Sequence, residues 1–198
     1  MKRKKGCLLI GNSRLHWAIE KDQGWQYFHT STEQKIRSLP EISFFRWAAV
    51  GHIPKYDFLK SSEQIHRSDV PIVKQINWLG IDRALAAWGA IQTTNYSTKY
   101  PKGIWIVDAG TILTLNRITN KGEFIGGQLM PGLSLQLFSM SEAAKNLINP
   151  GIFRLPKDMF PITTKEAMFR GSLQSLLGVI AEAYNQDNVP IWLCGGDA

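Results

Sequence analysis

Ile104-Trp105-Ile106-Val107-Asp108-Ala109-Gly110-Thr111-Ile112-Leu113-Thr114-Leu115-Asn116-Arg117-Ile118 contains an apolar strand, a small polar tip and a returning strand. The β-branched and aromatic run 104–107 predicts a buried strand, and 112–118 predicts its antiparallel partner. Asn120, Lys121 and Gly122 then predict a turn before Phe124 and Ile125. The same device opens the chain, with apolar residues 7–10, the turn Gly11-Asn12-Ser13, and a second strand over 14–19. Two such hairpins, about one domain-half apart, predict an α/β protein made of two similar halves. The polar stretch 95–103, with Pro101, is the expected boundary, giving halves 1–95 and 96–198.

Between and after the hairpins, periodicity predicts strands over 44–50, 71–76 and 191–194. Helices are expected over 81–91, over 133–147, and over 167–184 with interruptions at Gly171 and Gly178. The strand 191–194 runs into Gly195 and Gly196, and a buried strand followed by a double glycine predicts further chain beyond Ala198. With 198 residues and 44% hydrophobic residues, the chain can bury a core, and disorder is excluded. The net charge of +7 falls to about +3 without Lys2, Arg3, Lys4 and Lys5, so it reads as a solvated basic tail. No nucleic-acid recognition motif accompanies it, and nucleic acid is not expected as a partner. Cys7 and Cys194 show no ligand spacing and read as buried small hydrophobes. The apolar run after the basic tail is too short for a signal peptide or a membrane span. A cytoplasmic location and no membrane partner are expected.

Five segments carry candidate chemistry. In the two hairpin tips, glycine lets backbone approach a bulky anion, and successive N–H groups with a Ser or Thr hydroxyl can cradle phosphate oxygens. A plain hairpin turn explains either tip alone. No GxxxxGK[ST] loop is present, so a P-loop is excluded. Asp108 follows a buried strand at its carboxyl end, where open α/β sheets bind ligands, and could coordinate a cation or merely cap the turn. In Gly80-Ile81-Asp82-Arg83, Asp82 could accept a substrate hydroxyl proton and Arg83 could bind an anionic group. Asp82 could equally complement a helix dipole. Gly126-Gly127-Gln128-Leu129-Met130-Pro131-Gly132 is too rich in glycine for an ordinary strand-to-helix connection, and predicts close backbone approach to a ligand. Finally, Thr164 in Thr164-Lys165-Glu166-Ala167-Met168-Phe169-Arg170-Gly171 can N-cap a helix.

In this order, with Leu79 and Val107 before the second and third segments and Gly195-Gly196-Asp197-Ala198 at the end, the motifs resemble type III pantothenate kinase from about Leu8 onward. The resemblance implies two ribonuclease-H-like halves of the actin-like ATPase fold with a cleft between them. It implies transfer of the ATP γ-phosphoryl group to the primary hydroxyl of pantothenate, the first step of coenzyme A synthesis. Asp82 then resembles the general base, Gly80, Ile81, Asp82, Arg83 and Thr164 the pantothenate contacts, and Asp108 the ligand of a monovalent cation, K⁺ or NH₄⁺. Leu9, Ile10, Gly11, Asn12, Ser13, Arg14, Leu15 and His16, with Thr111, Gly195 and Gly196, resemble the ATP-binding positions. Mg²⁺ with ATP and a homodimer are further implications. Two positions depart from the family pattern: Leu9 replaces a carboxylate in the first phosphate motif, and Val73 a tyrosine near the substrate, where Trp78 offers another cover. Leu9 is expected to extend the apolar core run Leu8-Leu9-Ile10. The alternatives are another small-molecule kinase of the same superfamily, which has no reason to carry GxDR, and a regulatory or DNA-associated protein of the same fold, which the positive charge and Leu9 would suit.

Overall fold

The computed structural model describes residues 4–31, 42, 44–74, 76–93, 95–152 and 154–197. Its elements are β1 (Lys5–Ile10), β2 (Arg14–Lys21), β3 (Gly24–Ser31), β4 (Phe44–Ala49), α1 (Ile81–Ile91), α2 (Tyr96–Lys99), β5 (Ile104–Ala109), β6 (Ile112–Ile118), β7 (Phe124–Pro131), α3 (Leu133–Ala143), α4 (Thr164–Asp187) and β8 (Ile191–Cys194). They form two four-stranded sheets, ordered β3-β2-β1-β4 and β7-β6-β5-β8. In each, the first three strands in sequence are antiparallel neighbours and the fourth lies parallel to the first. The duplication expected from the hairpins is therefore a repeat of topology as well as pattern. The α/β class with two ribonuclease-H-like halves is the observed architecture.

Two compact units follow, one of residues 1–72 and 76–88, the other of residues 73–75 and 89–198, with a division inside α1 after Trp88. In the first unit, Leu8 and Ile10 alternate inward from β1, Leu15 and Trp17 from β2, Phe45 and Trp47 from β4. Irregular chain after β4 packs Tyr56, Phe58 and Leu59 against them, and the Trp47 indole N–H donates to the Lys60 carbonyl at 3.0 Å. Each such aromatic side chain removes a large apolar area from water.

In the second unit, Val107, Leu113 and Leu115 face Leu133 and Leu137 of α3 and Met168, Phe169 and Leu176 of α4. On β6, Thr114, Asn116 and Ile118 alternate to the other face. Arg117 ties the far end together, donating to Asp187 at 2.7 Å and to the carbonyls of Lys102 and Ile118.

Several expectations are corrected. β3 was not expected, although Trp25, Tyr27, Phe28 and Thr30 have strand composition and Gly24, at φ +121°, closes the preceding turn. The described residues of 71–76 form no strand, only a bridge from Val73 to Glu123. The glycine-rich segment is not a connection but lies mostly within β7, which extends from Phe124 through Gly126 and Gly127 to Pro131. α3 stops at Ala143, and α4 continues through Gly171 and Gly178 without a break. Both cysteines are exposed, not buried. Leu9 is not a core residue: β-alternation turns it to the face opposite Leu8 and Ile10, across from His16, where it is half-buried.

Candidate active site

In the first unit, the β1–β2 tip closes where the Gly11 N–H donates to the Arg14 carbonyl at 2.9 Å. Asn12, Ser13 and Arg14 are exposed at the turn. Ile10 and Leu15, by contrast, are completely buried, so any ligand contact from those two positions is made by backbone. Leu9, His16 and His29 are successive cross-strand partners on the non-core face. The two imidazoles meet edge to face at 4.8 Å between ring centroids. Burial, with His29 and Arg14 nearby, lowers the His16 pKa below its ordinary value. The tip thus has neutral and cationic groups around it, and no carboxylate at position 9.

The same unit holds Gly80-Ile81-Asp82-Arg83 at the start of α1. Ile81 is anchored in the interior at 9% exposure. Asp82 Oδ1 accepts the Arg83 backbone N–H at 2.8 Å. A Cβ at Gly80 would come within 2.5 Å of that same oxygen, so glycine leaves the space the carboxylate occupies. Arg83 is only 6% exposed. Its Nη2 donates to the Trp78 carbonyl at 2.6 Å, and its Cζ lies 5.0 Å from the Trp78 ring centroid. Its Nη1 is buried without a hydrogen-bond partner. Burial pulls the guanidinium pKa down and Asp82 pulls it up. An arginine so placed stays charged, and its unpaired N–H fits an anionic or carbonyl oxygen.

In the second unit, Asp108 lies in β5 between Thr114 of β6 and Cys194 of β8. Three backbone segments converge just beyond it. The Gly132 N–H donates to the Thr111 carbonyl at 2.9 Å, and the Asp197 N–H to the Ala109 carbonyl at 2.9 Å. A Cβ at Gly132 would lie 2.0 Å from the Gly110 carbonyl oxygen, and one at Gly195, already at φ +103°, would lie 2.3 Å from that of Ala109. Gly132, at the end of the glycine-rich segment, closely approaches the backbone of the β5–β6 tip. A mainly apolar pocket of about 90 Å³ opens there, lined by Gly110, Gly132, Leu133, Leu176, Leu193 and Asp197 among others.

Thr164 is exposed as the first residue of α4, and it is not the cap. Thr163 takes that role: its hydroxyl accepts the Glu166 N–H at 3.3 Å and donates to the Glu166 carboxylate at 2.7 Å. The spacing Thr163-x-x-Glu166 was the signal for this and went unread. The Thr164 side chain is left available for other contacts. The double hold of Trp78 on Arg83 was likewise not legible, because a backbone carbonyl contact leaves no trace in residue type.

A family model described as type III pantothenate kinase matches residues 61–186, which span Gly80–Arg83, Asp108–Thr111, Gly126–Gly132 and Thr164–Gly171. A type III pantothenate kinase of Thermosynechococcus vestitus is 29% identical over 202 residues, covering 96% of this chain and 76% of that protein. One from Synechocystis sp. is 30% identical over 188 residues, covering 91% and 70%. Among solved structures, a conserved putative Baf family transcriptional activator from Campylobacter jejuni superposes with a TM-score of 0.61 at 21% identity, over 98% of this chain and 84% of that one. That likeness speaks to the fold. With more than half of its length matched by the family model, the chain belongs to the type III pantothenate kinase family.

Proposed function

We infer that the protein phosphorylates pantothenate with ATP, giving 4′-phosphopantothenate and ADP in the first step of coenzyme A biosynthesis. The observation that carries the reading is the buried Arg83 guanidinium with Nη1 unpaired, next in sequence to an Asp82 carboxylate for which Gly80 leaves room. Asp82 takes the proton of the substrate's primary hydroxyl as that oxygen forms its bond to the γ-phosphorus. The bond from the γ-phosphorus to the bridging oxygen breaks, and ADP leaves. Arg83, with Thr164 as a further contact, orients the substrate so that hydroxyl and carboxylate meet.

Gly11 to Arg14 of the first hairpin tip, and Thr111 of the second, are assigned to the ATP phosphates by their backbone and hydroxyl groups. The adenosine side falls to the pocket beside Gly195 and Gly196. Among the described residues no cluster of three or more His, Cys, Asp or Glu could cage a metal ion. Mg²⁺ would enter with ATP and would neutralise charge on the transferred group. Asp108, at the end of β5, is assigned to a monovalent cation, K⁺ or NH₄⁺.

The reading includes a homodimer in the cytoplasm. Ile148, Phe160 and Ile162, between α3 and α4, are 84%, 89% and 100% exposed, which favours a partner surface. Among the described residues no helix is long and apolar enough to cross a membrane. A coupled ATP assay with pantothenate, a sugar panel and acetate, with and without K⁺, tests the assignment. Turnover confined to pantothenate is expected, and turnover of a sugar or acetate in its place refutes it.

A further inference from the structure

The loop entering α1 turns at residues 76–79, where the Leu79 N–H donates to the Ile76 carbonyl at 3.1 Å and Arg67 Nη1 donates to the same oxygen. The turn buries Leu79 and leaves Trp78 52% exposed. An exposed tryptophan gains little by burial, yet this one contacts Arg83 twice, through its carbonyl at 2.6 Å and its ring at 5.0 Å. Asp82 does not share that work: the hydrogen bond at its Oδ1 comes from the Arg83 backbone N–H, not from the guanidinium. Trp78 is therefore what orients the guanidinium plane, and Nη1 is the corner left without a partner.

We propose that Trp78 is the positioning residue of a carboxylate-recognising subsite, holding Arg83 by ring and carbonyl so that Nη1 meets the carboxylate of the substrate. This rests on the pantothenate kinase reading and adds the residue that gives it preference for an acid over a neutral analogue. The ring contributes in two ways. It attracts the cation through its π face, and it narrows the directions from which water reaches the guanidinium. A carboxylate docked on Nη1 then forms a charge-assisted hydrogen bond in a partly dry site, where such bonds are strongest.

The test compares wild type, Trp78→Ala and Trp78→Phe on pantothenate and on its neutral analogue, in which CH₂OH replaces the carboxylate. Trp78→Ala keeps the carbonyl but loses the ring. It is expected to raise the KM for pantothenate about tenfold, with kcat within about threefold and the KM for ATP unchanged. The KM for the neutral analogue should move far less, so that preference for the acid collapses. Trp78→Phe, which keeps an aromatic face, should recover most of the loss and guards against a folding defect in the alanine variant. Wild type that turns over pantothenate while Trp78→Ala leaves its KM within about twofold, or raises both KM values equally, overturns the inference and leaves the kinase reading standing. Wild type that turns over no pantothenate overturns the kinase reading itself.

Discussion

Gly80→Ala isolates the geometry of the Asp82 carboxylate from the stability of the protein. The added Cβ would lie 2.5 Å from Asp82 Oδ1. Ordinary contact between such atoms is about 3.3 Å or more, so the carboxylate must move by roughly 0.8 Å. That motion draws Oδ1 away from the Arg83 N–H, a charge-assisted bond of 2.8 Å worth about 1.5–3 kcal/mol at most. Against it, replacing glycine by alanine restricts the unfolded chain and returns about 0.4–1 kcal/mol. Net destabilisation should then be about 0.5–2.6 kcal/mol. The cost to turnover is larger, since misplacing a reacting group by about 1 Å can lower the rate about a hundredfold. Steady-state kinetics with a thermal melt on the same preparation reads both quantities. The expected result is a folded variant with kcat down about a hundredfold, close to Asp82→Asn, which removes the proposed base outright. A Gly80→Ala protein of unchanged kcat would mean that the Asp82 oxygen is not the reacting group, and unchanged kcat in Asp82→Asn would remove Asp82 from the mechanism altogether.

Asp108→Asn should weaken ATP use and flatten any K⁺ activation, because an amide holds a hard cation less well than a carboxylate; identical KCl titrations for both proteins would confine Asp108 to the turn. Leu9→Asp should lower the apparent KM for ATP at fixed Mg²⁺. It should cost little stability, since position 9 lies half-buried on the non-core face opposite His16; a folded variant with unaltered or worse ATP dependence refutes a metal-binding role for that position. His16 binds its proton less tightly in the folded than in the unfolded protein, so its contribution to stability is present above about pH 6.5 and lost as pH falls through the lower folded pKa. His16→Gln should therefore flatten the loss of stability on acidification from about pH 7 to 5, as read by denaturant melts at each pH; parallel curves would show that the imidazole environment is the same in both states.

Much of the fold was legible because hairpins announce themselves locally. The strand 112–118 and the helix 81–91 coincide with β6 and α1, since alternation or helical spacing and the flanking turn residues agreed there. β3 escaped because its exposed residues include Trp25 and Tyr27, which blur the inward–outward alternation that marks a half-buried strand. Residues 71–76 misled in the opposite direction. Val70 and Ile72 are buried as strand residues would be, but a single bridge is all the pairing the neighbouring chain offers. Leu9 shows the limit of reading three apolar residues as one core run. In a strand the middle one must face the other way, and only the pairing with His16 shows what it meets there.

Glycine carried the information about the site, though not every glycine did. At Gly171 and Gly178 an added Cβ would meet nothing within 4 Å, so both are tolerated on open faces of α4 at a cost of about 1 kcal/mol each relative to alanine. Sequence alone made them look like helix breaks. At Gly132 and Gly195 the same test meets carbonyl oxygens at 2.0 and 2.3 Å, and at Gly80 it meets a carboxylate. The first two cannot be relieved by rotating a side chain, because the obstacle is the backbone of the tip that follows Asp108. Substitution there must displace the segment itself, whereas substitution at Gly80 displaces only Asp82. Gly132 and Gly195, like Gly127 against the Leu115 carbonyl, bring the main chain of the second unit together, whereas Gly80 leaves room for the Asp82 carboxylate. For that reason a stability loss should dominate in the former and a rate loss in the latter.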